Sequence, residues 1–313
     1  MNRSVALVVC TLTGLVILTA VPAWAVEPVG VIVTPKTEDG PAASTTYLAW
    51  TVERVARHTF HANVFYEPVD STGAPIKVNT PGTLGFTGGM DGSVLAYEQD
   101  AADGSTADIM LTDLATQTML PVPDGVNTDH LEYYPRLSST HLLYLRLYRH
   151  RTDVILTDRA TGVSTVLYRA TERDRVFRRP RSEQVNGNYA VWSQSVYSND
   201  SGAPVGGNVW VYDIAAGTTT KIPNEAGLWQ YGPSVNADGT IYFGRSNLAC
   251  GENAQVIQRL TDGTETVIYE LPAGRDFRST YAVDNLDGTT DVYIDAGNCT
   301  GRDQADISVL QGL

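Results

Sequence analysis

The chain has 313 residues, 42% of them hydrophobic and 18% charged, and its 35 acidic against 22 basic side chains give a formal charge of −13. Such an acidic excess argues against general nucleic-acid binding, because a polyphosphate would meet a repelling field. Three cysteines and five scattered histidines supply no convincing metal set; His58 and His61 form the closest pair and have no third ligand near them.

Residues 1–25 read as an export signal, with Arg3 as its charged start, an apolar run from Val5 to Val21, and Ala23-Trp24-Ala25 as a small-x-small cleavage site. A membrane anchor is the competing reading, but Thr11, Thr13, Gly14 and Thr19 interrupt the run and the cleavage site follows it directly. Cleavage predicts a secreted or extracytoplasmic chain from Val26, with 21 basic and 35 acidic residues and a charge of −14. Cys10 leaves with the signal. Cys250 and Cys299 then remain as an even pair in an exported protein, and they are expected to form a disulfide.

From residue 26 onward the chain repeats. Segments beginning at Ala62, Ala107, Thr152, Gly207, Ala254 and Ala305 share a small opening residue, a short apolar strand, a turn and a second strand. Their polar second residues, Asn63, Asp108, Asp153, Asn208, Gln255 and Asp306, follow one another at 45, 45, 55, 47 and 51 residues. A period in that range, built of short strands, is the signature of propeller blades. Asp91-Gly92, Asn186-Gly187, Asp238-Gly239 and Asp287-Gly288 precede further apolar runs, and such dipeptides favour two-residue hairpins. Val209-Trp210-Val211-Tyr212 is apolar at consecutive positions, as befits a strand covered on both faces.

These features predict an all-β, six-bladed propeller of four-stranded antiparallel blades over 26–313. The blades fall at about 44–80, 83–123, 133–169, 181–223, 231–270 and 279–313. The last lacks an outer strand, and residues 28–35, which include Val29-Gly30-Val31-Ile32-Val33, are expected to supply it and close the ring.

The stretch from Tyr231 to Ser246, followed by the segment from Ala254, resembles the TolB-like family of propeller repeats. Its aromatic-x-Pro start, Asp-Gly hairpin and aromatic-rich second strand fall in family order, and Tyr133 to Leu147 repeats the aromatic-Pro start. The resemblance spans residues 28–313. It implies the fold, and it implies a role as an envelope interaction scaffold or as the propeller part of a larger peptidase.

No Gly-x-Ser-x-Gly elbow is present, which argues against the peptidase role. The acids Asp284, Asp287, Asp291 and Asp295 lack calcium-loop spacing. One constellation recurs in what read as connections between blades: Phe86; Tyr133, Tyr134, Pro135 and Arg136; Phe177, Arg178, Arg179, Pro180 and Arg181; Trp229 and Tyr231; Phe277 and Arg278. Such connections gather on one face around a propeller's channel, where aromatic faces beside guanidinium groups suit sugar rings, carboxylates or a peptide terminus. The competing reading seats these residues in blade packing and in pairs with Glu172, Asp174 or Glu183. The expectation is a monomeric, non-catalytic scaffold without a cofactor that binds a protein or an anionic ligand through Tyr134, Arg136, Phe177, Arg178, Arg179, Arg181, Trp229, Tyr231, Phe277 and Arg278. An extracytoplasmic glycan hydrolase or lyase is the alternative, marked by a perturbed acid or base facing the arginines.

Overall fold

The computed structural model describes residues 27–32, 37–56, 59–171, 176–198, 204–225, 227–247, 254–298 and 305–313. Cys250 and Cys299 lie outside them, as does the export segment. Every regular element among the described residues is a strand.

The strand β1 (Val29–Ile32) comes first. Then β2 (Thr37–Ala43), β3 (Tyr47–Ala56), β4 (Thr59–Pro68) and β5 (Ile76–Lys77) pair in sequence order as one antiparallel sheet. The next two sheets repeat that order: β6 (Thr83–Asp91), β7 (Val94–Ala101), β8 (Ala107–Asp113) and β9 (Thr118–Leu120), then β10 (Leu131–Leu137), β11 (His141–Tyr148), β12 (Arg151–Asp158) and β13 (Ser164–Thr171). An eight-stranded sheet holds two more meanders. They are β14 (Val176–Asn186), β15 (Tyr189–Ser198), β16 (Pro204–Asp213) and β17 (Thr218–Lys221), and β18 (Leu228–Val235), β19 (Ile241–Asn247), β20 (Gln255–Arg259) and β21 (Glu265–Glu270). A single parallel pairing, Gly207 with Trp229, joins them. The last sheet runs β22 (Arg275–Asp284), β23 (Thr290–Asn298), β24 (Ala305–Leu310) and then β1, which pairs antiparallel with β24 through Val29–Val309 and Gly30–Ser308.

Hairpins stand at all four expected places, but only those at Gly92-Ser93 and Gly187-Asn188 are two-residue loops, while 237–239 and 286–288 are three-residue loops ending in glycine. Gly92, Gly187, Gly239 and Gly288 all have positive φ, the geometry that both kinds of tight turn require. The first strands touch in cyclic order, β2 to β6, β10, β14, β18, β22 and back to β2, so the sheets stand round a common axis as propeller blades. The apolar core lies between neighbouring blades. Trp192, 0% exposed, stacks parallel on Trp210 at 6.2 Å, and Tyr97, Tyr144, Tyr242 and Phe243 are likewise among the large buried side chains. Each such side chain contributes roughly 1.5–3 kcal/mol by leaving water. In β16 the small residue Gly207 has a packing cause: a Cβ there would lie 1.6 Å from the indole of Trp229 in the next blade.

One expectation is corrected. Blades read from residues 44, 133, 181, 231 and 279 in fact begin at Thr37, Leu131, Val176, Leu228 and Arg275. Each first strand is bulged near its middle, with register shifts at Asp39/Ala42, Thr87/Met90, Tyr133/Arg136, Ser182/Gln184, Tyr231/Ser234 and Phe277/Ser279. A bulge breaks the period-two alternation by which a strand is recognised, so in four blades the reading began late, β2 was passed over whole, and only β6 was placed from its first residue.

A chain starting at Thr37 lacks β1 and leaves the outer edge of β24 bare. Such a chain is expected to self-associate and to melt lower, by about 2–4 °C per kcal/mol lost. Thermal denaturation with light scattering checks this, and an unchanged melting temperature in a monomer would mean that β1 adds nothing.

Candidate functional site

The aromatic and arginine residues singled out in the sequence stand in the first strands themselves rather than in connecting loops, most of them before the bulge, with Tyr134 and Arg278 in it and Arg136 just past it. Arg181, Trp229, Tyr231, Phe277 and Arg278 border one cavity of about 380 Å³, together with Glu183, Ser193, Ser195, Gly232, Ser246, Asn247 and Asp276. The rest divide. Tyr134 lies under the Arg181 guanidinium, 4.9 Å from ring centre to Cζ. Arg136 sits deeper and is 4% exposed; it donates to the Gly88 carbonyl and stands 3.8 Å from Glu183, which makes it a structural ion rather than a contact for ligand. Phe277 borders the cavity but is 2% exposed, wedged where a Cβ on Gly244 would meet its ring at 2.1 Å. The backbone of Phe177, Arg178 and Arg179 belongs to β14, and their side chains lie outside the described residues.

The bulge explains how the strands present these groups. Gly40, Tyr134 and Gly232 occupy equivalent bulge positions with φ of 62, 50 and 56°, each followed by proline. Tyr134 pays steric strain that the two glycines do not. Its N–H donates to Glu98 at 3.0 Å, which with the guanidinium overhead holds it in place.

Beside the cavity lies a network of partly and fully buried charges, in which the sequence had pointed to Arg181, Arg278, Glu183 and Asp295 but not to Asp39 or Glu98. Asp39 of β2 faces Asp295 of β23, and the Gly40 N–H donates to Asp295 at 3.3 Å. Arg278 approaches Asp39 at 3.9 Å, and the Arg181 Nε lies 3.8 Å from Glu183, which also accepts from the Ser193 hydroxyl at 2.9 Å. Burial raises Asp295 well above the usual carboxylate range, and the Asp39 charge adds to this. Burial pushes Asp39 upward too, but its hydrogen bond with Asp295 and the charges of Arg181 and Arg278 prevail and hold it low. The two carboxyls are therefore pushed in opposite senses, Asp295 toward its protonated form and Asp39 toward its ionised form. In a second pair, Glu98 and Asp100, both carboxyls are raised. Burial and the Asp100 charge push Glu98 up to about 8, and burial with the Asp108 charge lifts Asp100 to about 6.

Glu183 is raised by burial, against the pull of Arg181 and Arg136. Desolvation works to lower Arg181, but Glu183, Tyr134, Asp39 and Asp295 outweigh it and hold the guanidinium charged. Although enclosed by these groups, Arg181 keeps 36% of its side chain accessible through the cavity. On the cavity's other wall the Tyr231 hydroxyl donates to Asp276 at 3.1 Å and lies 3.1 Å from the Ser246 hydroxyl.

A signal for the missed Glu98 was present. In the second strands, Thr51, Glu98, Ser193 and Asp295 each follow a run of three apolar residues: Leu48 to Trp50, Leu95 to Tyr97, Ala190 to Trp192 and Val292 to Ile294. A polar group at one fixed place in otherwise apolar strands marks a lining that differs from the core.

No protein-family model matches the chain, and no curated protein does. Solved structures match in fold. TolB from Acinetobacter baumannii superposes with a TM-score of 0.51 at 15% identity, over 85% of this chain and 64% of that one, so this chain spans under two thirds of its length. A TolB-designated protein of Agrobacterium tumefaciens gives 0.58 at 15% identity, over 83% of this chain and 90% of that one. The fold is a β-propeller of antiparallel blades, similar to the propellers of these TolB structures. The propeller domain of the Trilobed protease from Pyrococcus furiosus also matches, with a TM-score of 0.51 at 11% identity over 90% and 95% of the two chains. At such identities the likeness concerns fold alone, and the site stands on its own geometry.

Glu98 holds its proton more tightly folded than unfolded, so its stabilising effect is complete below about 4.5 and is lost as pH climbs through about 8. Melting temperature should fall across that window, and Glu98→Gln should flatten the fall. Denaturation scans at several pH values read this directly; parallel profiles for the two proteins would refute it.

Proposed function

We propose that the chain is a secreted or envelope-associated, non-catalytic binding protein, a six-bladed propeller closed by β1, that engages an anionic ligand or acidic protein patch at the arginine end of its channel. The observation that carries this reading is a pair of guanidinium groups, Arg181 36% and Arg278 26% accessible, bordering a cavity of about 380 Å³ in a chain of charge −13. A local positive site in so acidic a protein is informative, and guanidinium forks suit carboxylate and phosphate. The ring of six is supported by the cyclic contact of the first strands and by β1 lying on β24. Export rests on the sequence of residues 1–25, and it would put Cys250 and Cys299 where a bridge can form.

The acid pairs beside Arg181 favour a second reading, an extracytoplasmic glycan hydrolase or lyase. Accessibility weighs against it. Asp295 is 0% and Glu98 4% exposed, and a catalytic acid must reach the proton it transfers.

Arg181→Lys keeps the charge but removes the planar fork. It should leave the fold intact while weakening calorimetric binding of poly-L-glutamate about tenfold, and binding by the unaltered mature chain should fall with salt as charges become screened over about 8 Å. Binding indifferent to both salt and Arg181→Lys would put the docking surface elsewhere.

A further inference from the structure

Independently of the channel, we propose that a groove on the first blade is a docking site for an extended, acidic peptide segment of a partner protein. Its origin lies in the strand lengths. β3 and β4 pair along ten residues each, from Tyr47–Pro68 to Ala56–Thr59, whereas β5 has two residues and covers β4 only at Phe65 and Tyr66. Among the described residues no strand pairs with that side of β4 before Phe65, and a groove of about 600 Å³ opens there, closed by Gly82, Thr83 and Leu84 where the next blade begins. Phe60, 40% exposed, stacks on Phe86 of β6 at 6.3 Å and ties the end of the hairpin to that blade, so the two walls are held together without a ligand.

The register decides which side chains look into the groove. Cross-strand partners share a face of a sheet, and alternate residues of a strand do too. Val52 stands opposite Asn63, Arg54 opposite His61, and Lys77 opposite Phe65, so all six lie on one face, and all six line the groove. No carboxylate is in the lining, although acids outnumber bases 35 to 22 in the chain. Glu53, opposite Ala62, is on the other face, and Glu67 lies beyond Phe65, outside the lining. Arg54 and Lys77 are exposed and make no ion pair among the described residues. The undescribed residues that adjoin these strands, 33–36 and 57–58, include Lys36, Arg57 and His58 and no acid.

The two cations mark the ends of an apolar floor made by Val52 and Phe65. Arg54 sits beside residue 61 of β4 and Lys77 beside residue 65, on opposite sides of that strand. Four residues along the strand and one strand spacing to either side put their Cα atoms about 16 Å apart. A small anion cannot reach both. An extended chain can, because side chains four residues apart point the same way and stand about 13 Å from each other, and the residue midway between them points to that side as well. Two carboxylates flanking an apolar side chain therefore match Arg54, the floor and Lys77 in order. A polyanion with a charge on every unit would leave Phe60 and Phe65 against water, which is why the occupant is a peptide rather than an acidic glycan.

Isothermal titration of the mature protein with the capped peptide Glu-Thr-Phe-Thr-Glu tests this. In an extended chain its glutamates and phenylalanine face one way, whereas the isomer Glu-Thr-Phe-Glu-Thr, of the same composition and charge, turns one glutamate away. The first should bind about fivefold more tightly than the isomer, as the loss of one exposed pair implies, and less tightly as salt rises. Arg54→Glu and Lys77→Glu should each weaken it about tenfold at an unchanged melting temperature. Should a charge reversal not fold, Arg54→Gln and Lys77→Gln take its place, with losses of about fivefold. No binding, or equal binding of the two isomers, would overturn the proposal. So would binding lost in Arg181→Lys and kept in both groove variants, which would put the peptide in the channel, and so would heparin bound through Arg54 where the peptide is not.

Discussion

Around the channel axis the first strands come so close that their inner edges can pair neither with another strand nor freely with water, and side chains must satisfy what the backbone leaves open. A Cβ on Gly88 would lie 2.3 Å from the Pro135 carbonyl, so β6 and β10 are nearly in backbone contact. Below the bulges the bridges are neutral. The Tyr281 hydroxyl accepts from the Met90 N–H at 2.8 Å and donates to its carbonyl at 3.1 Å, across 191 residues of chain. Gln184 donates to the Ala282 carbonyl at 2.8 Å and accepts from Ala282 and Val235. Ser234 donates to Thr280 at 2.7 Å. Each bridge nets about 1 kcal/mol, but losing one partner strands a buried group at about 1–3 kcal/mol, so the axis is held more by the cost of opening than by the gain of closing.

Above the bulges the same steric problem is solved with charge, and that difference gives the channel two unlike ends. Neutral bridges can be dry and tight. Charged ones need their counter-ions. An arrangement of this kind responds to an incoming charge, whereas amide and hydroxyl bridges do not. The cavity lies at the charged end, bordered by the entry halves of β14, β18 and β22 and the exit halves of β15 and β19, while the hairpin turns gather at the other.

What could be read in the sequence was what depends on near neighbours in the chain. An Asp-Gly pair selects its hairpin wherever it stands, and an apolar run such as Val209 to Tyr212 needs cover in any all-β fold, so turns, second strands and third strands were legible. The first strands were not. Thr37 to Ala43 contains Glu, Asp, Gly and Pro in succession, a composition that local propensity assigns to a loop. It is a strand because its neighbours across the axis make it one. The site suffered from the same blindness. Its aromatic and basic residues were found by recurrence but assigned to connections, and of the acids opposite them Asp39 and Glu98, from strands far away in sequence, were passed over. A further periodic mark also went unread. Asn79, Asn127 and Asn224, spaced 48 and 97 residues apart, each clamp the third strand of their blade, at Val64, Ile109 and Gly207.

Recurrence of a residue type at equivalent positions therefore has two physical meanings that only contacts can separate. Trp229 recurs because Gly207 leaves a slot for an aromatic edge, and Phe277 because Gly244 does; their place beside the cavity follows from packing. Arg181 has no such slot. It stands over a tyrosine in a strained backbone conformation, keeps a third of its side chain open to the cavity and faces acids drawn from both halves of the chain. Packing explains none of these three features, and a scaffold needing only a sealed axis would have placed a neutral bridge there, as it does around Tyr281 and Gln184. Keeping a charge where a hydroxyl would seal the axis costs desolvation energy, which supports the proposal that the protein binds at its arginine end, although Arg136 shows that the axis also holds a charge of purely structural use.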